Sequence, residues 1–370
     1  MKIDDKTSHN SPSLRFPEFT GEWKKCKIED ITDAVSSGKS KNHFSNGEYN
    51  LYGSTGIIGR TDKALYDGKL VLVARVGANA GFLQIINEPC GITDNTLILK
   101  PKGIDAFYLY YFLQHFNLNR LIFGSGQPLI TGGMLKKVKV SLGTISEQSK
   151  IVKFLSLLDE RIATQVRLIE DLKKLRCAIV EKMFKQSKAN GRLGDFIEQV
   201  SVRNKNGLYS NVLSVSNKQG FVKQSEQFED RTVASEDTSN YKIVKRNNFA
   251  YNPARINVGS IARLTKFDVG IVSPMYVCFR TKASIIPEYM EAFFTSQQFF
   301  YEMMKRLEGS VRLCLSYEGL CNIPVYIPDM NKQIAMGQNI SLILSKIGLE
   351  IEYLGRLHQQ KQYLLRKMFI

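Results

Sequence analysis

At 370 residues the chain is long enough for two domains, each able to bury a core of its own. Its 43% hydrophobic and 23% charged residues suit a globular protein in water, and apolar runs such as LVLVA from Leu70 are far too short to span a membrane. A net charge of +16 and a pI near 9.4 disfavour cationic partners and place nucleic acid first among the expected ones, with an anionic membrane surface next.

The chain opens with MKIDDKTSHNSPS, which is polar and lacks the apolar core of a secretory signal, so a cytoplasmic protein with an N-terminal tail over residues 1–19 is expected. The cysteines, at 26, 90, 177, 278, 314 and 321, form no CxxC pair and no metal-type spacing with the histidines at 9, 43, 115 and 358. Reduced thiols and no metal site follow. Residues 20–143 read as a first mixed α/β domain, with strand-like KLVLVAR and TLILKP and an aromatic-rich helix, AFYLYYFLQHF, from Ala106. Residues 144–190 hold a long helix: from Glu147 to Phe184 there is no Gly or Pro, and Ile151, Leu155, Leu158, Ile162, Ile169, Leu172, Ile179 and Met183 keep mostly to steps of four and three. Residues 191–328 form a second α/β domain with strand-like YVCFRT and IPVYIP and a helix from Pro287. Residues 329–370 repeat the long helix, with Met336, Ile340, Ile343, Ile347, Leu354, Leu357, Leu364 and Met368.

The two halves are copies. A shift of 185 residues lays GSGQPLITGGMLKKVKVSL from Gly124 over GSVRLCLSYEGLCNIPVYI from Gly309 and runs without a gap to Phe184 and Phe369, each closing a Lys-Met-Phe. The fronts match loosely and at shorter shifts, as in LVLVARVGANAG from Leu70 and FAYNPARINVGS from Phe249. Each half thus has a variable front and a back of fixed length. The fold expected is mixed α+β: two α/β domains joined by two long helices packed as an antiparallel coiled coil, with a pseudo-twofold internal repeat.

An antiparallel register can be written from the polar interruptions. Pairing Arg176 with Glu350 and Gln165 with Lys361 also sets Leu158 opposite Met368, Ile162 opposite Leu364 and Ile179 opposite Ile347. A helix of this length would be a rod of roughly 57 Å that keeps its two ends apart. Beyond the seam, Val166, Leu168, Leu175, Leu344, Ile351, Tyr353 and Leu365 widen the apolar stripe, either to pack on the chain's own domains or to dock other subunits.

No catalytic constellation emerges. GKS from Gly38 imitates the end of a phosphate-binding loop, but Asp33 stands where the first glycine is needed. YNPA from Tyr251 imitates the base-holding loop of amino-methyltransferases without its second proline and closing aromatic. The chain offers a binder's features instead, twice over. ARVGANAG carries Arg75 and Asn79, and ARINVGS carries Arg255 and Asn257; glycine allows close backbone approach, and arginine contacts phosphate or reads guanine with two bonds. The loops GSGQPLIT, with Gln127 and Thr131, and GSVRLCLS, with Arg312 and Ser316, form a second matched pair. Lys39, Lys41, Arg203 and Lys205 are candidate phosphate contacts. The same arginine loops read equally as tight turns, and the basic residues as a solvated face.

On LRFPEFTGEWKKCKIEDI, on the ARVGANAG and GSGQPLIT loops, and on the two domain-plus-helix units, the chain resembles the specificity subunit of type I restriction-modification enzymes from about Leu14 to its end. The resemblance implies a non-catalytic DNA-binding subunit whose two recognition domains read the halves of a bipartite site across an unread spacer. It implies partners as well: two modification subunits that methylate adenine with S-adenosylmethionine, and restriction subunits that use ATP and Mg2+. No cofactor is expected in this chain. GSVRL in the second half departs from the GSGQP form of the first. The competing readings are a self-sufficient DNA methyltransferase or nuclease with degenerate motifs, and a coiled-coil dimerisation protein that binds no DNA.

Overall fold

A computed structural model of the chain describes residues 10–41, 46–122, 126–185, 188–217, 219–227, 237–310 and 312–370. His9, His43, Gly124, Ser125 and Val311, all within segments singled out above, lie outside the described residues. The chain divides into two compact units, residues 1–166 with 352–370, and residues 167–351. Both long helices pass from one unit into the other.

In the first unit, β1 (Lys24–Lys27) leads through a short turn of helix into β2 (Thr32–Ser37), β3 (Tyr49–Gly53), β4 (Gly56–Thr61), β5 (Lys69–Ala74), β6 (Leu83–Asn87), β7 (Cys90–Ile92) and β8 (Thr96–Pro101). Helices α1 (Ala106–Phe116) and α2 (Gly132–Lys136), strand β9 (Lys139–Leu142) and the long α3 (Ile145–Lys185) follow. An antiparallel sheet in the order β2-β8-β5-β6 forms the centre. Successive residues of a strand point to opposite faces. Val71, Val73, Leu97 and Leu99 therefore enter the main core with α1, while Leu70, Leu72 and Ile98 enter a smaller core with Cys90 and Ile92. Helix α1 starts where the Asp105 carboxylate accepts from the backbone N–H groups of Phe107 and Tyr108, and stops at Asn117, whose φ of 57° is left-handed.

The second unit repeats this plan. Strands β10 (Gly191–Arg192), β11 (Ile197–Gln199), β12 (Leu213–Ser216), β13 (Gly220–Lys223), β14 (Lys242–Lys245), β15 (Phe249–Tyr251), β16 (Ile261–Arg263), β17 (Val269–Val272), β18 (Val277–Thr281) and β19 (Pro324–Val325) alternate with α4 (Leu193–Phe196), α5 (Gln224–Gln227), α6 (Pro287–Phe293), α7 (Gln297–Met304) and α8 (Tyr317–Cys321) before the long α9 (Met330–Met368). Its central sheet runs β11-β18-β15-β16, the counterpart of β2-β8-β5-β6. The pair β10-β19 answers β1-β9. Phe249, Tyr251 and Phe279 face the helical core, whereas Ala250 and Cys278 face a second one.

Details of bonding repeat with the sequence. The Tyr108 hydroxyl donates to the Ser141 carbonyl at 3.0 Å, and the Tyr289 hydroxyl to the Tyr326 carbonyl at 2.7 Å. The buried Gln148 and Gln333 side chains, each near the start of a long helix, donate to the carbonyls of Gly143 and Pro328, five residues back. Phe369 lies against Tyr108 and Phe112 with centroids 5.2 and 6.3 Å away, and Phe184 against Tyr289 and Phe293 at 5.3 and 5.2 Å. Each Lys-Met-Phe therefore delivers its Phe to the aromatic helix of one unit. Phe184 serves the second unit, and Phe369, at the far end of the chain, serves the first.

Two expectations change. The segment read as a tail is tied down from Asn10 onward. Leu14 N–H donates to the Lys367 carbonyl at 2.9 Å, Arg15 grips the fully buried Glu147 with two bonds of 2.7 and 2.8 Å, and the Trp23 indole N–H adds a third at 3.1 Å. The helices in the first unit pack antiparallel but slipped from the register written above, which would place Asp159 opposite Lys367 and Arg161 opposite Leu365. Instead Asp159 pairs with Lys361 at 2.6 Å, and Arg161 stacks over Tyr353 at 5.4 Å. Glu350 is bound by Lys346 on its own helix, and Gln165 is buried. Heptad spacing matches apolar to apolar nearly as well after a slip by whole repeats, so the polar partners decide. A carboxylate attracts Lys361 more strongly than an amide does.

Candidate DNA-recognition face

In each central sheet four strand ends meet on one side. In the first unit these are the ends of β2 and β5 and the starts of β6 and β8. The loops leaving them hold Lys39, Lys41, Arg75 and Asn79, and the segment before α2, with Gln127 and Thr131, joins the loop after β5. Val76 bridges Leu129, Gly77 N–H donates to the Pro128 carbonyl at 3.0 Å, and Ile130 N–H donates to the Arg75 carbonyl at 2.8 Å. The ARVGANAG and GQPLIT loops are thus zipped together. Gly77 has a φ of 80°, and a Cβ there would lie 3.9 Å from Gln127 Nε2. The half-buried Arg75 reaches the Ser37 hydroxyl at 3.4 Å, while Asn79 and Gln127 are exposed. Ser54, at the tip of the β3-β4 hairpin, donates to the Asn95 carbonyl, which also accepts from Arg75 N–H.

Lys39 and Lys41 are exposed and line a notch of about 270 Å³ together with Lys63. Sequence reading missed Lys63, because its place beside them depends on the β3-β4 hairpin folding back. Gly38, by contrast, serves packing: a Cβ there would stand 2.3 Å from the Ile92 carbonyl oxygen, and its N–H donates to Thr96. The GKS resemblance to a phosphate loop reflects this close approach of strands.

The second unit builds the same arrangement from different residues. Leu315 N–H donates to the Pro253 carbonyl at 3.1 Å and joins the RLCLS loop to the loop carrying Arg255. Tyr251, fully buried, donates to the Leu315 carbonyl, and the Asn252 carboxamide accepts from Ala254 N–H in a tight turn. YNPA is therefore a structural turn. Arg255 and Arg312 are exposed and Asn257 half-buried, with the exposed Val258 and Met275 beside them in neighbouring loops. Exposed Arg203 donates to the Asn240 side chain at 3.0 Å, and Lys205 stands exposed in the following turn.

Thr131 and Ser316 serve differently from the other candidates. The Thr131 hydroxyl accepts from Met134 N–H at 3.2 Å and starts α2; the Ser316 hydroxyl accepts from Gly319 N–H at 3.0 Å and starts α8. Both are N-caps, which their place before Leu135 and Leu320 could have signalled. Asn50 and Tyr52 hydrogen-bond the Glu88 carboxylate and hold it below the usual carboxylate range, stiffening β3 near this face. Among the described residues, no group of His, Cys, Asp and Glu could hold a metal ion, and no helix is long and apolar enough to cross a membrane.

The helices carry a second surface. Val166, Leu168, Leu175, Leu344 and Ile351 of the widened stripe are exposed, whereas Leu365 is buried and Tyr353 half-buried in the first unit. Leu157, Leu342 and Leu349, which sequence reading did not single out, add to the exposed set.

The family model for the type I restriction modification DNA specificity domain matches residues 20–174. The specificity subunit of the type I restriction enzyme EcoprrI from Escherichia coli is 28% identical over 112 residues, covering 30% of this chain and 28% of that one. That of MjaVIII from Methanocaldococcus jannaschii is 31% identical over 119 residues, covering 31% and 28%. Matches to the curated relatives span between 23% and 46% of their length. The crystal structure of a type I restriction-modification S subunit from M. genitalium superposes with a TM-score of 0.63 at 20% identity, over 97% of this chain and 99% of that one. Two α/β domains on a pair of long helices are thus a fold shared with that S subunit along nearly the whole chain. Residues 20–174 thus resemble the type I restriction modification DNA specificity domain, and the fold is that of a type I S subunit.

Proposed function

We infer that this chain is the DNA-reading subunit of a type I complex and recognises a bipartite site with unread base pairs between its halves. The observation that carries this reading is the repeat of one sheet order with unlike loops: Arg75, Asn79 and Gln127 on one face, Arg203, Arg255 and Arg312 on the other. Each unit reads one half-site, and the fixed length of the helices sets the gap. The exposed stripe on the helices docks two modification subunits, which supply S-adenosylmethionine-dependent adenine methylation. Restriction subunits with ATP and Mg2+ complete the complex.

Replacing residues 20–143 by the corresponding domain of another specificity subunit is expected to change one half of the methylated motif and leave the other half and the gap intact. Sequencing methylated adenines in cells carrying the hybrid checks this, and a change in both halves contradicts it. Phosphate contacts release counterions, so binding should weaken steeply with salt. Lys39→Ala, Lys41→Ala and Lys63→Ala in the assembled complex are each expected to flatten the log–log salt slope by about 0.9 without altering sequence preference. A salt titration of binding to matched and mismatched duplexes measures both quantities.

A further inference from the structure

The internal repeat allows one unit to be compared with the other, and the comparison exposes an incomplete site. In the first unit Tyr111 on α1 donates to the Asp159 carboxylate at 2.8 Å, and Lys361 on α9 pairs with the same carboxylate while lying over the Tyr111 ring. The equivalent positions in the second unit follow from the 185-residue shift of the helices and from the matched Tyr108–Tyr289 and Phe112–Phe293 contacts. Arg176 stands for Lys361. Leu344 stands for Asp159, and Ala292 for Tyr111. The cation is kept, but its carboxylate and its ring are gone.

A cavity of about 460 Å³ is lined by all three of these residues. Phe249, Ala292 and Ile340 are buried in its wall, and Thr265 and Lys266 are exposed at its rim. Arg176 Nε is buried there without a hydrogen-bond partner. Glu291 also lines the cavity and lies within electrostatic reach of Arg176, but its carboxylate is hydrogen-bonded by Arg263 at 2.9 Å, and Arg263 takes Glu288 as well. A buried guanidinium N–H without an acceptor is rare, because a lost hydrogen bond to a charged group is costly. A cavity of this size with largely apolar walls and an unbonded guanidinium N–H accommodates an aromatic or aliphatic body bearing an anionic group.

We propose that this cavity is a socket for an acidic side chain and its aromatic neighbour on the modification subunit, which supply to Arg176 what Asp159 and Tyr111 supply to Lys361 within the chain. The charge identifies the occupant's chemistry, since Arg176, Arg263 and Lys266 outnumber Glu291 in the lining and Arg176 Nε lacks an acceptor that a carboxylate would supply. Leu344, 38% exposed, is part of both the cavity lining and the apolar stripe on the helices, so a subunit docked on that stripe reaches the opening. The inference rests on the proposed docking of modification subunits.

The test uses the full chain titrated with its modification subunit, with each binding step followed by native mass spectrometry and calorimetry. Two variants are compared with wild type. Ala292→Tyr with Leu344→Asp rebuilds the first unit's trio and fills the cavity, and Arg176→Leu removes the cation. Each is expected to weaken one of the two docking steps at least 10-fold and to leave the other unchanged. The rebuilt variant is also expected to melt no lower than wild type. If the rebuilt chain does not fold, Arg176→Leu decides alone. Two unchanged docking steps in a folded variant, or equal weakening of both, overturn the socket while leaving the proposed function standing. Failure of the wild-type chain to bind the modification subunit overturns both.

Discussion

Phe369→Ala is expected to destabilise the first unit by about 3–5 kcal/mol, the usual cost of emptying a buried phenyl site. Here the ring is 2% exposed and is surrounded by Trp23, Tyr108, Phe112 and His115. The neighbours belong to α1 and to the segment before β1, so they cannot follow a shrinking side chain without breaking their own contacts. The Tyr108 hydroxyl is bound to Ser141, and the His115 ring stacks on Phe369 itself. Burial already depresses the His115 imidazole pKa. Denaturant unfolding followed by Trp23 fluorescence reports the loss where it occurs. Phe184→Ala, at the matching place in the second unit, is expected to cost a similar amount while leaving the Trp23 signal near its native midpoint.

Glu147→Ala is expected to cost at least about 3 kcal/mol in the same experiment. The carboxylate is fully buried, and removing it strands the Arg15 guanidinium and the Trp23 indole N–H together. Gly143 fixes the geometry, since a Cβ there would stand 2.3 Å from Glu147 Oε2. Arg15→Lys keeps the charge but loses the two-pronged grip, so a smaller loss of about 1 kcal/mol is expected. A change below 1 kcal/mol for Glu147→Ala would mean that the knot does not anchor the N-terminal segment. The second unit has Lys332 at the position of Glu147, paired with Asp329 at the surface, so this knot belongs to the first unit alone.

The long helices were the most legible part of the sequence. Steps of four and three, with no Gly or Pro from Glu147 to Phe184, put them at 144–190 and 329–370, and they occupy Ile145–Lys185 and Met330–Met368. Periodicity reports which face is buried, but it repeats every seven residues and so leaves the slip between two helices open. Asp159 settled the slip in the first unit, and its importance could not be weighed without Tyr111 beside it. The candidate face was legible as loops and not as bonds. Arg75 and Gln127 were found because glycine-rich loops with arginine are conspicuous. Thr131 and Ser316 were found for the same reason, yet their hydroxyls accept from the backbone at the starts of α2 and α8. Lys63 and the empty socket at Arg176 depend on which strands and helices become neighbours, and that is a property of the folded chain.

The central claim is that one chain carries two unlike readers at a spacing set by its helices. Sequencing every methylated adenine in a host that carries this chain and its modification subunit, against the same host lacking the chain, tests it most directly. The expected result is one motif of two short, dissimilar halves separated by a gap of constant length, absent without the chain. A contiguous motif, a gap of variable length, or methylation that persists without the chain would contradict the account.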